Sequence, residues 1–206
     1  MSRATPIVAA IAGAAVLVIG YSLYASGQKR AQQRNVTELV RDSTGKLRQA
    51  LAPKPAAELV ASLDANLQAA KAPRDRALED AAELYILSAR EIARRRVDAQ
   101  RLERQAEASR AALAAHLRGA SHRSEAWIRG ASELSRRAER DYFDWGVELK
   151  ALDELLYTLP EAAKRIEPLV GPDLLLPDAE RESARKQALA EAKRAAAELA
   201  ALRGQR

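Results

Sequence analysis

The stretch "DYFDWG", from Asp141 to Gly146, has the residue types that come nearest to a chemical or binding site. It contains three of the eight aromatic residues of the chain, which has two Trp, five Tyr and one Phe. Its two carboxylates could move protons, and its rings could stack on a ligand. Tyr142 and Trp145, however, also fit a buried apolar stripe, so the stretch is either a site or a piece of core.

Apolar residues at spacings of three and four predict that this stretch lies in a long helix. The stripe runs over 127–156, and the helix is predicted to stop before Pro160. A preceding helix is predicted over 73–117, and the short segment 118–124 offers a glycine C-cap and serine N-caps. Two long helices joined by so short a turn predict an antiparallel hairpin.

The hairpin brings an arginine-rich run of the first helix opposite the aromatic stretch. With a turn centred near Ser121, Trp145 lies across from about Val97. Arg96 then falls at a seam position, where its guanidinium could lie on the Trp145 ring and reach Asp144. Carboxylates on this face of the second helix are expected to form ion pairs with arginines of the first helix.

Two interpretations of this layer stay open. A polar layer inside an apolar seam fixes the register of helices, whereas a pocket lined by the rings could bind a small molecule, with the arginine holding an anion. The candidate residues of this register or ligand layer are Tyr85, Arg96, Tyr142, Asp144 and Trp145. Phe143 lies off the stripe and is the candidate contact for a protein partner.

Residues typical of catalysis or metal binding form no recognised pattern. The chain has no cysteine, and its two histidines, His116 and His122, lack the spacing of a helical metal pair. No phosphate-binding loop, nucleophile elbow or dinucleotide fingerprint occurs. We therefore expect no enzyme activity, no catalytic residue, no cofactor and no metal, and we expect both histidines to be exposed near the turn.

Basic residues are concentrated between Ala89 and Gln105, in a chain with a net charge of +6. Such a run could track the phosphates of a nucleic acid or an anionic lipid. Acidic residues are interleaved with the arginines, and no exposed aromatic residues offer stacking platforms. The pattern favours a salt-bridged helix face, so nucleic acid is not expected as a partner.

Residues 5–25 contain no charged side chain. As a helix they would span about 30 Å, the thickness of the hydrocarbon core of a bilayer, and tyrosines and basic residues follow them. This pattern predicts a single transmembrane anchor in contact with membrane lipid. A cleaved signal peptide is the alternative, because small residues occupy 25–27, but the apolar stretch exceeds the usual signal length.

The sequence does not decide on which side of the membrane the helical body lies. Arg3 precedes the apolar segment, whereas Lys29, Arg30, Arg34 and Arg41 follow it. This count slightly favours a cytoplasmic body for a single-pass protein of the cell membrane.

The whole sequence predicts an all-α protein, with an N-terminal transmembrane helix followed by an elongated helical bundle built on the long antiparallel hairpin. The predicted divisions are a short N-terminus with the anchor (1–27), membrane-proximal helices (28–72), the hairpin (73–159), a proline-rich connection (160–177) and an alanine-rich C-terminal helix (178–206).

The expected function is that of a non-enzymatic membrane scaffold or assembly subunit. Its helical body would bind a protein partner or a second copy of the chain. Two alternatives are a membrane-anchored sensor whose bundle binds a small molecule, and a tether that spans a bacterial envelope.

Overall fold

Five α-helices and one short 3-10 turn form the part of the chain that the structure describes. This computed structural model describes residues 27–28, 30–53, 55–71, 76–119 and 124–204. Helix α1 covers 30–50, and it is followed by α2 (Glu58–Ala70), α3 (Arg76–Arg118), α4 (Glu125–Val170), the 3-10 turn (Pro172–Leu174) and α5 (Asp178–Gly204). None of the residues just given is in a strand, so the predicted all-α class and helical bundle are confirmed.

Helices α3 and α4 form the long antiparallel hairpin that the sequence predicts. They contain 43 and 46 residues, so each is about 65 to 70 Å long. Ser124 caps the start of α4, where its hydroxyl accepts a hydrogen bond from the backbone N–H of Trp127 at 3.2 Å. Because few residues connect these two amphipathic helices, the helices bury their apolar stripes against each other by lying antiparallel.

The other helices pack along this hairpin. Helix α5 runs antiparallel to α4, because Arg185 pairs with Asp153 at 2.9 Å and Arg203 pairs with Glu139 at 3.7 Å. Helices α1 and α2 are linked by the buried Asn66, whose amide nitrogen donates to the Ser43 hydroxyl at 2.9 Å. They pack against the half of the hairpin remote from its turn, where they share its hydrophobic core.

The core is built from the predicted stripe of α4 and from alanines that allow close helix contacts. Small residues at helix crossings let backbones approach, and a β-carbon built on Gly146 would lie 3.7 Å from that of Ala195 in α5. The largest fully buried side chains are Trp145, Tyr85, Leu47, Leu63, Ile86, Ile92, Leu149, Leu152, Leu156 and Ile166. Of the leucines and rings predicted as core in α4, Tyr142, Trp145, Leu149, Leu152 and Leu156 are buried, whereas Trp127 and Leu134 are only partly buried.

Helix α4 does not stop before Pro160, so the predicted helix end is wrong. The helix continues through Pro160 and Pro168. Proline has no N–H, and the carbonyl four residues earlier therefore loses its helical donor. For Pro160 that carbonyl belongs to Leu156, and the Nη1 of Arg181 in α5 donates to it at 3.4 Å. A side chain from another helix thus replaces the missing backbone donor.

The connection between α4 and α5 is accordingly 171–177, much shorter than the predicted 160–177. Gly171 has a φ of 88°, which a residue with a side chain rarely adopts, and the chain reverses there. The backbone N–H of Leu176 donates to the Tyr85 hydroxyl at 3.2 Å, which ties the connection to α3. Helix α5 begins at Asp178, as the sequence predicts.

The predicted membrane segment, residues 5–25, lies outside the described residues, and the anchor stays a prediction. Among the helices described, none has the length and apolar character needed to cross a bilayer.

Candidate functional site

The two carboxylates of "DYFDWG" have different surroundings. Asp141 is buried and accepts hydrogen bonds from the Gln105 amide at 2.7 Å and the Ser109 hydroxyl at 2.5 Å. Asp144 is exposed on α4. Neither carboxylate pairs with Arg96, so the predicted contact of Arg96 with Asp144 is wrong. The polar partners of Asp141 across the hairpin are neutral side chains rather than the expected arginines.

Trp145 does carry a guanidinium on its ring, but the arginine comes from α5. The Cζ of Arg194 lies 4.8 Å from the indole centroid, a cation–π distance. Trp145 is 1% exposed, and the Tyr142 ring is tilted against it with a centroid distance of 6.1 Å. Arg194 also forms an ion pair with Glu103 of α3. The prediction that Arg96 covers Trp145 is therefore wrong, because the arginine on the ring is Arg194.

Arg96 forms a buried ion pair that joins α3 to α5. It is 6% exposed, and its two terminal nitrogens donate to the two carboxylate oxygens of Glu191 at 2.7 and 3.3 Å. Gln187 donates to the same carboxylate at 2.9 Å. Removing either charged partner would leave the other poorly solvated, so the pair fixes the position of α5 along the hairpin.

A groove of about 340 Å³ runs beside Tyr142 and Trp145, and three of its four charged side chains, Arg110, Arg194 and Glu198, form ion pairs. Arg110 binds Glu198 at 2.6 Å. Hydrogen bonds from its guanidinium, to Tyr142 first and to Glu198 second, raise the pKa of Arg110 above its ordinary value. The groove therefore holds an internal charge network across α3, α4 and α5.

Tyr85 lies apart from the other residues of the predicted layer. It is eleven residues before Arg96 on α3, a separation of about 16 Å along the helix axis. Its hydroxyl is 2.9 Å from that of Thr44. Burial raises the pKa of the Tyr85 phenol, and the hydrogen bond with Thr44 opposes that shift in part. The residues of the predicted layer therefore do not lie together. Tyr85 is buried at one level of the bundle, Arg96, Tyr142 and Trp145 are buried at another, and Asp144 is exposed.

Two buried polar atoms near Trp145 have no hydrogen-bond partner within the described residues. They are the indole nitrogen Nε1 of Trp145 and the oxygen Oε1 of Glu148. The other oxygen of Glu148 accepts a hydrogen bond from Arg95 at 2.9 Å. Buried polar groups are usually satisfied, so these two atoms are where a small polar molecule could still bind.

The basic run of α3 is a network of ion pairs, as the sequence predicts. Arg90 pairs with Asp64 of α2 at 2.8 Å, and Arg95 pairs with Glu148 of α4. A hydrogen bond from Arg94 is the main cause that lowers the pKa of Glu91. These arginines therefore form ion pairs within the bundle.

His116 has a structural contact at the end of the hairpin. Its ring stacks on Trp127 with a centroid distance of 5.2 Å, and its Nε2 lies 3.0 Å from the Trp127 carbonyl oxygen. It is partly buried, so the expectation of an exposed histidine is wrong for His116. His122 lies outside the described residues. Across the described ranges, no group of three acidic or histidine side chains is placed to hold a metal.

Phe143 is exposed, which agrees with its position off the stripe. It is 55% exposed, and Val147, one turn further along α4, is 49% exposed. Both point away from the core, and exposed basic residues flank them: Arg136, Arg140 and Lys150. Most arginines of α3 have acidic partners, as Arg90 has Asp64 and Arg95 has Glu148, whereas these three cations lie on the exposed side of α4. We call Phe143, Val147 and these three cations the outer face of α4.

Sequence reasoning missed the α5 side of the site. Glu191, Arg194 and Glu198 follow one another at spacings of three and four, so they share a face of α5 and alternate in sign. That alternation indicates a helix with charged partners. It does not indicate which helix supplies them, because helix pairing depends on the tertiary arrangement.

The fold and these contacts define an all-α bundle that is built on a long hairpin and braced by ion pairs. Comparisons of the chain with protein-family models, with curated proteins and with solved structures gave no match.

Proposed function

We propose that this protein is a non-enzymatic scaffold or assembly subunit, held in a membrane by residues 5–25, whose helical body binds an acidic protein partner. The observation that carries the proposal is the outer face of α4. There two apolar side chains, Phe143 and Val147, are about half exposed in the middle of a well-packed helix.

The energetics of this face favour a protein partner. Fully burying an exposed Phe or Val side chain contributes about 1.5 to 3 kcal/mol, and since Phe143 and Val147 are about half exposed, a partner that covers them would gain about half of that from each. The surrounding cations are exposed, so a partner that brings carboxylates gains electrostatic attraction.

One feature supports a role without enzyme activity. Several charged groups between the helices bind each other, as in the pairs Arg96 with Glu191 and Arg110 with Glu198. A helical bundle that performs chemistry usually needs an unpaired carboxylate or histidine cluster in its core. Arg110, Arg194 and Glu198 beside the groove have structural partners instead.

The partner contact can be tested by placing a photo-crosslinking amino acid at position 143 in cells that produce the full chain. We expect one discrete adduct, with a protein whose contact peptide is acidic. The matched control places the same group at Leu87, an apolar residue of α3 that is 42% exposed. Equal adducts from both positions, or none from position 143, would contradict the proposal.

Charge reversal tests the chemistry of the partner. Arg140→Glu should reduce the adduct at position 143 severalfold, because attraction to the carboxylates of the partner becomes repulsion. Arg101→Glu is the control, since Arg101 is an exposed arginine on α3. An adduct that is insensitive to Arg140→Glu would argue against an acidic partner.

Membrane attachment, and the side of the membrane on which the helical body lies, are tested in separate experiments. Reporters active on one side of the membrane, fused to the C-terminus of the full chain, should be active on the cytoplasmic side. The charge count around residues 5–25 supports that orientation. Release of the protein by a carbonate wash would contradict an anchor.

A ligand-binding sensor is the second candidate, and the unpartnered Nε1 of Trp145 favours it. An anion in the groove could reach Arg110 and Arg194 if it displaced their carboxylate partners. In a Trp127→Phe background, Trp145 is the single fluorescent indole. A saturable change in its emission on titration with inorganic phosphate, but not with chloride, would support the sensor. A tether across an envelope draws support from the length of the hairpin alone.

A further inference from the structure

The first turns of α1 follow closely on the predicted membrane segment. Residues 27–28 and 30–50 are helical, and Arg30 comes five residues after Ala25, the last residue of the apolar segment. Arg30 therefore lies about 8 Å from the end of that segment along a helix, and at most about 18 Å from it in an extended chain. With residues 5–25 in a bilayer, the side chains of these turns lie at the depth of the lipid headgroups.

The sequence at this position is basic. The first acidic residue of the whole chain is Glu38, and it is preceded by four cations: Arg3, Lys29, Arg30 and Arg34. The arginine run of α3 differs, because carboxylates are interleaved with its cations. Cations that follow a membrane segment without carboxylates between them attract anionic lipids.

Three arginines share an exposed face of α1. Arg30, Arg34 and Arg41 are exposed, and spacings of four and eleven residues place them within about 40° of one another around the helix. Val36 and Val40, on the other side of α1, are fully buried in the core. The packing of these valines therefore fixes the outward direction of the arginines. We call the three arginines the basic face of α1.

A shallow cleft of about 330 Å³ runs along the basic face, which lines it together with Gln33, Thr37 and Glu38. Side chains four residues apart on a helix are neighbours, so Arg30 and Arg34 lie side by side. Each guanidinium presents a planar fork of donors that matches the oxygens of a phosphate. Glu38 lies one turn beyond Arg34, so the Arg30 end of the cleft is the end better suited to an anion.

Contacts with α4 fix how the bundle is placed relative to the start of α1. The amide nitrogen of Gln33 donates to the carbonyl oxygen of Leu169 at 3.1 Å, so the start of α1 lies beside the end of α4. Thr44 of α1 contacts Tyr85 of α3. From Tyr85, α3 continues for 33 residues, or about 50 Å, away from the start of α1. The hairpin turn is therefore at the opposite end of the bundle.

The basic character of this end of the bundle is local to α1. Exposed carboxylates also occur there, at the start of α3, at the end of α4 and in the connection: Asp80, Glu167 and Asp173. Helix α4 adds the exposed cations Lys164 and Arg165. These five charges nearly cancel, whereas the cleft on α1 has three arginines and one carboxylate. An anionic membrane surface would therefore be contacted through α1.

We propose that Arg30 and Arg34 bind the phosphate groups of anionic phospholipids. The start of α1 and the end of α4 then lie nearest the membrane, and the hairpin turn points away from it. Arg41 lies about 16 Å further along α1 than Arg30, beyond the headgroup layer. This proposal rests on the membrane anchor of the proposed function, and it adds the class of lipid that α1 recognises.

The test measures which lipids the full chain retains in mild detergent, by native mass spectrometry. Phosphatidylglycerol and phosphatidylcholine with the same acyl chains are supplied in equal amounts. The wild-type chain should prefer phosphatidylglycerol by about tenfold or more, because each basic residue near an anionic surface contributes about fivefold in affinity. Arg30→Gln and Arg34→Gln should each lower this preference about fivefold.

Arg41→Gln is the matched control, since it removes the same charge from the same face of α1. It should change the preference by less than about twofold, because Arg41 lies beyond the headgroups. Equal retention of the two lipids by the wild type would overturn the proposal. A preference that neither Arg30→Gln nor Arg34→Gln lowers, or that Arg41→Gln lowers as much as they do, would also overturn it. All three arginines are exposed, so the helical content should stay unchanged.

Inorganic phosphate distinguishes a lipid from a free anion as the ligand. An excess of phosphate should leave phosphatidylglycerol bound, because the acyl chains hold the headgroup beside the anchor at a high effective concentration. Displacement of the lipid by phosphate would overturn the assignment to a phospholipid.

Spin labels give an independent readout of how the bundle is oriented. The chain has no cysteine, so Ala31→Cys and Leu117→Cys each introduce a single thiol at an exposed position. With the full chain in lipid nanodiscs, a paramagnetic ion chelated by the headgroups should relax a label at position 31 strongly. A label at position 117 should be almost unaffected, because it lies about 45 Å or more further along the bundle. Equal relaxation of the two labels would contradict the proposed orientation.

The outcomes separate the headgroup site from the proposed function. The substitutions leave residues 5–25 unchanged, so each variant should resist a carbonate wash as the wild type does. Release of the wild type by the wash would contradict the anchor itself. A wild type that resists the wash and retains both lipids equally would overturn the headgroup site alone, and the adduct at position 143 would be unaffected.

Discussion

The hairpin tip, residues 111–119 of α3 and 124–136 of α4, and the rest of the bundle, which we call the body, share the helices α3 and α4, yet they differ in what covers these helices. In the body, α5 packs on the hairpin, and Trp145 and Leu149 are fully buried. At the tip, where no part of α5 is described as covering them, Leu117 of α3 and Ile128 of α4 are about half exposed. The apolar pattern alone does not distinguish the two regions, because burial depends on whether a neighbouring helix is present.

The polar contacts of the two regions also differ. In the body, buried charges join separate helices, as Arg96 joins α3 to Glu191 of α5. At the tip, His116 and Trp127 join α3 to α4 through ring stacking and backbone carbonyls, without an ion pair. We therefore expect the body to unfold cooperatively and the tip to open locally at lower free energy.

The largest expected effect is the loss of Trp145. Trp145→Ala should lower the free energy of unfolding by about 3 to 5 kcal/mol, the usual cost of removing a buried aromatic side chain. Trp127→Ala at the tip should cost less than about 2 kcal/mol, because Trp127 is only partly buried and its surroundings can relax. Urea unfolding followed by circular dichroism measures both. Equal costs would contradict the distinction between body and tip.

The second-largest expected effect is the loss of the ion pair that positions α5. Arg96→Met should cost about 2 to 4 kcal/mol, since it leaves Glu191 without its partner in a poorly solvated place. Arg48→Met breaks an exposed pair of similar length, with Glu180 at 2.8 Å, and should cost less than about 1 kcal/mol. Adding Glu191→Leu to Arg96→Met should recover stability. If the double variant is less stable than Arg96→Met, the pair is not the reason for the loss.

A smaller effect concerns Tyr85 and depends on pH. Burial raises the pKa of Tyr85, so above about pH 10 the unfolded chain releases a proton that the folded chain retains. Stability should therefore be complete below pH 10 and fall as pH rises through the folded pKa. Tyr85→Phe should cost about 1 to 2 kcal/mol at pH 7 through lost hydrogen bonds, but should flatten the alkaline decline.

The control for this pH dependence is Tyr157→Phe, because Tyr157 is 66% exposed. Its free energy of unfolding should decline with pH as steeply as that of the wild type. An unchanged alkaline slope in Tyr85→Phe would show that another group causes the decline.

The smallest expected effect is local to the tip. A β-carbon at Gly130 would lie 3.2 Å from the Cε1 of His116, so the ring would have to move. His116→Ala should speed hydrogen exchange at the tip and leave the body unchanged. In that background, Gly130→Ala should add up to about 1 kcal/mol of helix stability, and less in the wild type. Additive effects of the two changes would contradict the contact.

The particular elements show how far sequence reasoning reaches in this protein. The stripe of α4, the hairpin, the Ser124 cap and the start of α5 at Asp178 could be predicted, because each depends on residues close together in the chain. The end of α4 could not, because Arg181 of a later helix supplies the hydrogen bond that Pro160 removes. The partner of Trp145 was missed for the same reason, since Arg194 comes from α5.

The sequence by itself determined that the chain is helical, where its long hairpin lies and which stripe of α4 is buried, because helical periodicity is a local property. Only the tertiary structure decided which arginine meets which carboxylate and where "DYFDWG" divides into core and surface. Asp141, Tyr142 and Trp145 face other helices, and Phe143 faces outward. The physical reason is that helix pairing sets burial and charge partners, and pairing depends on residues far apart in the chain.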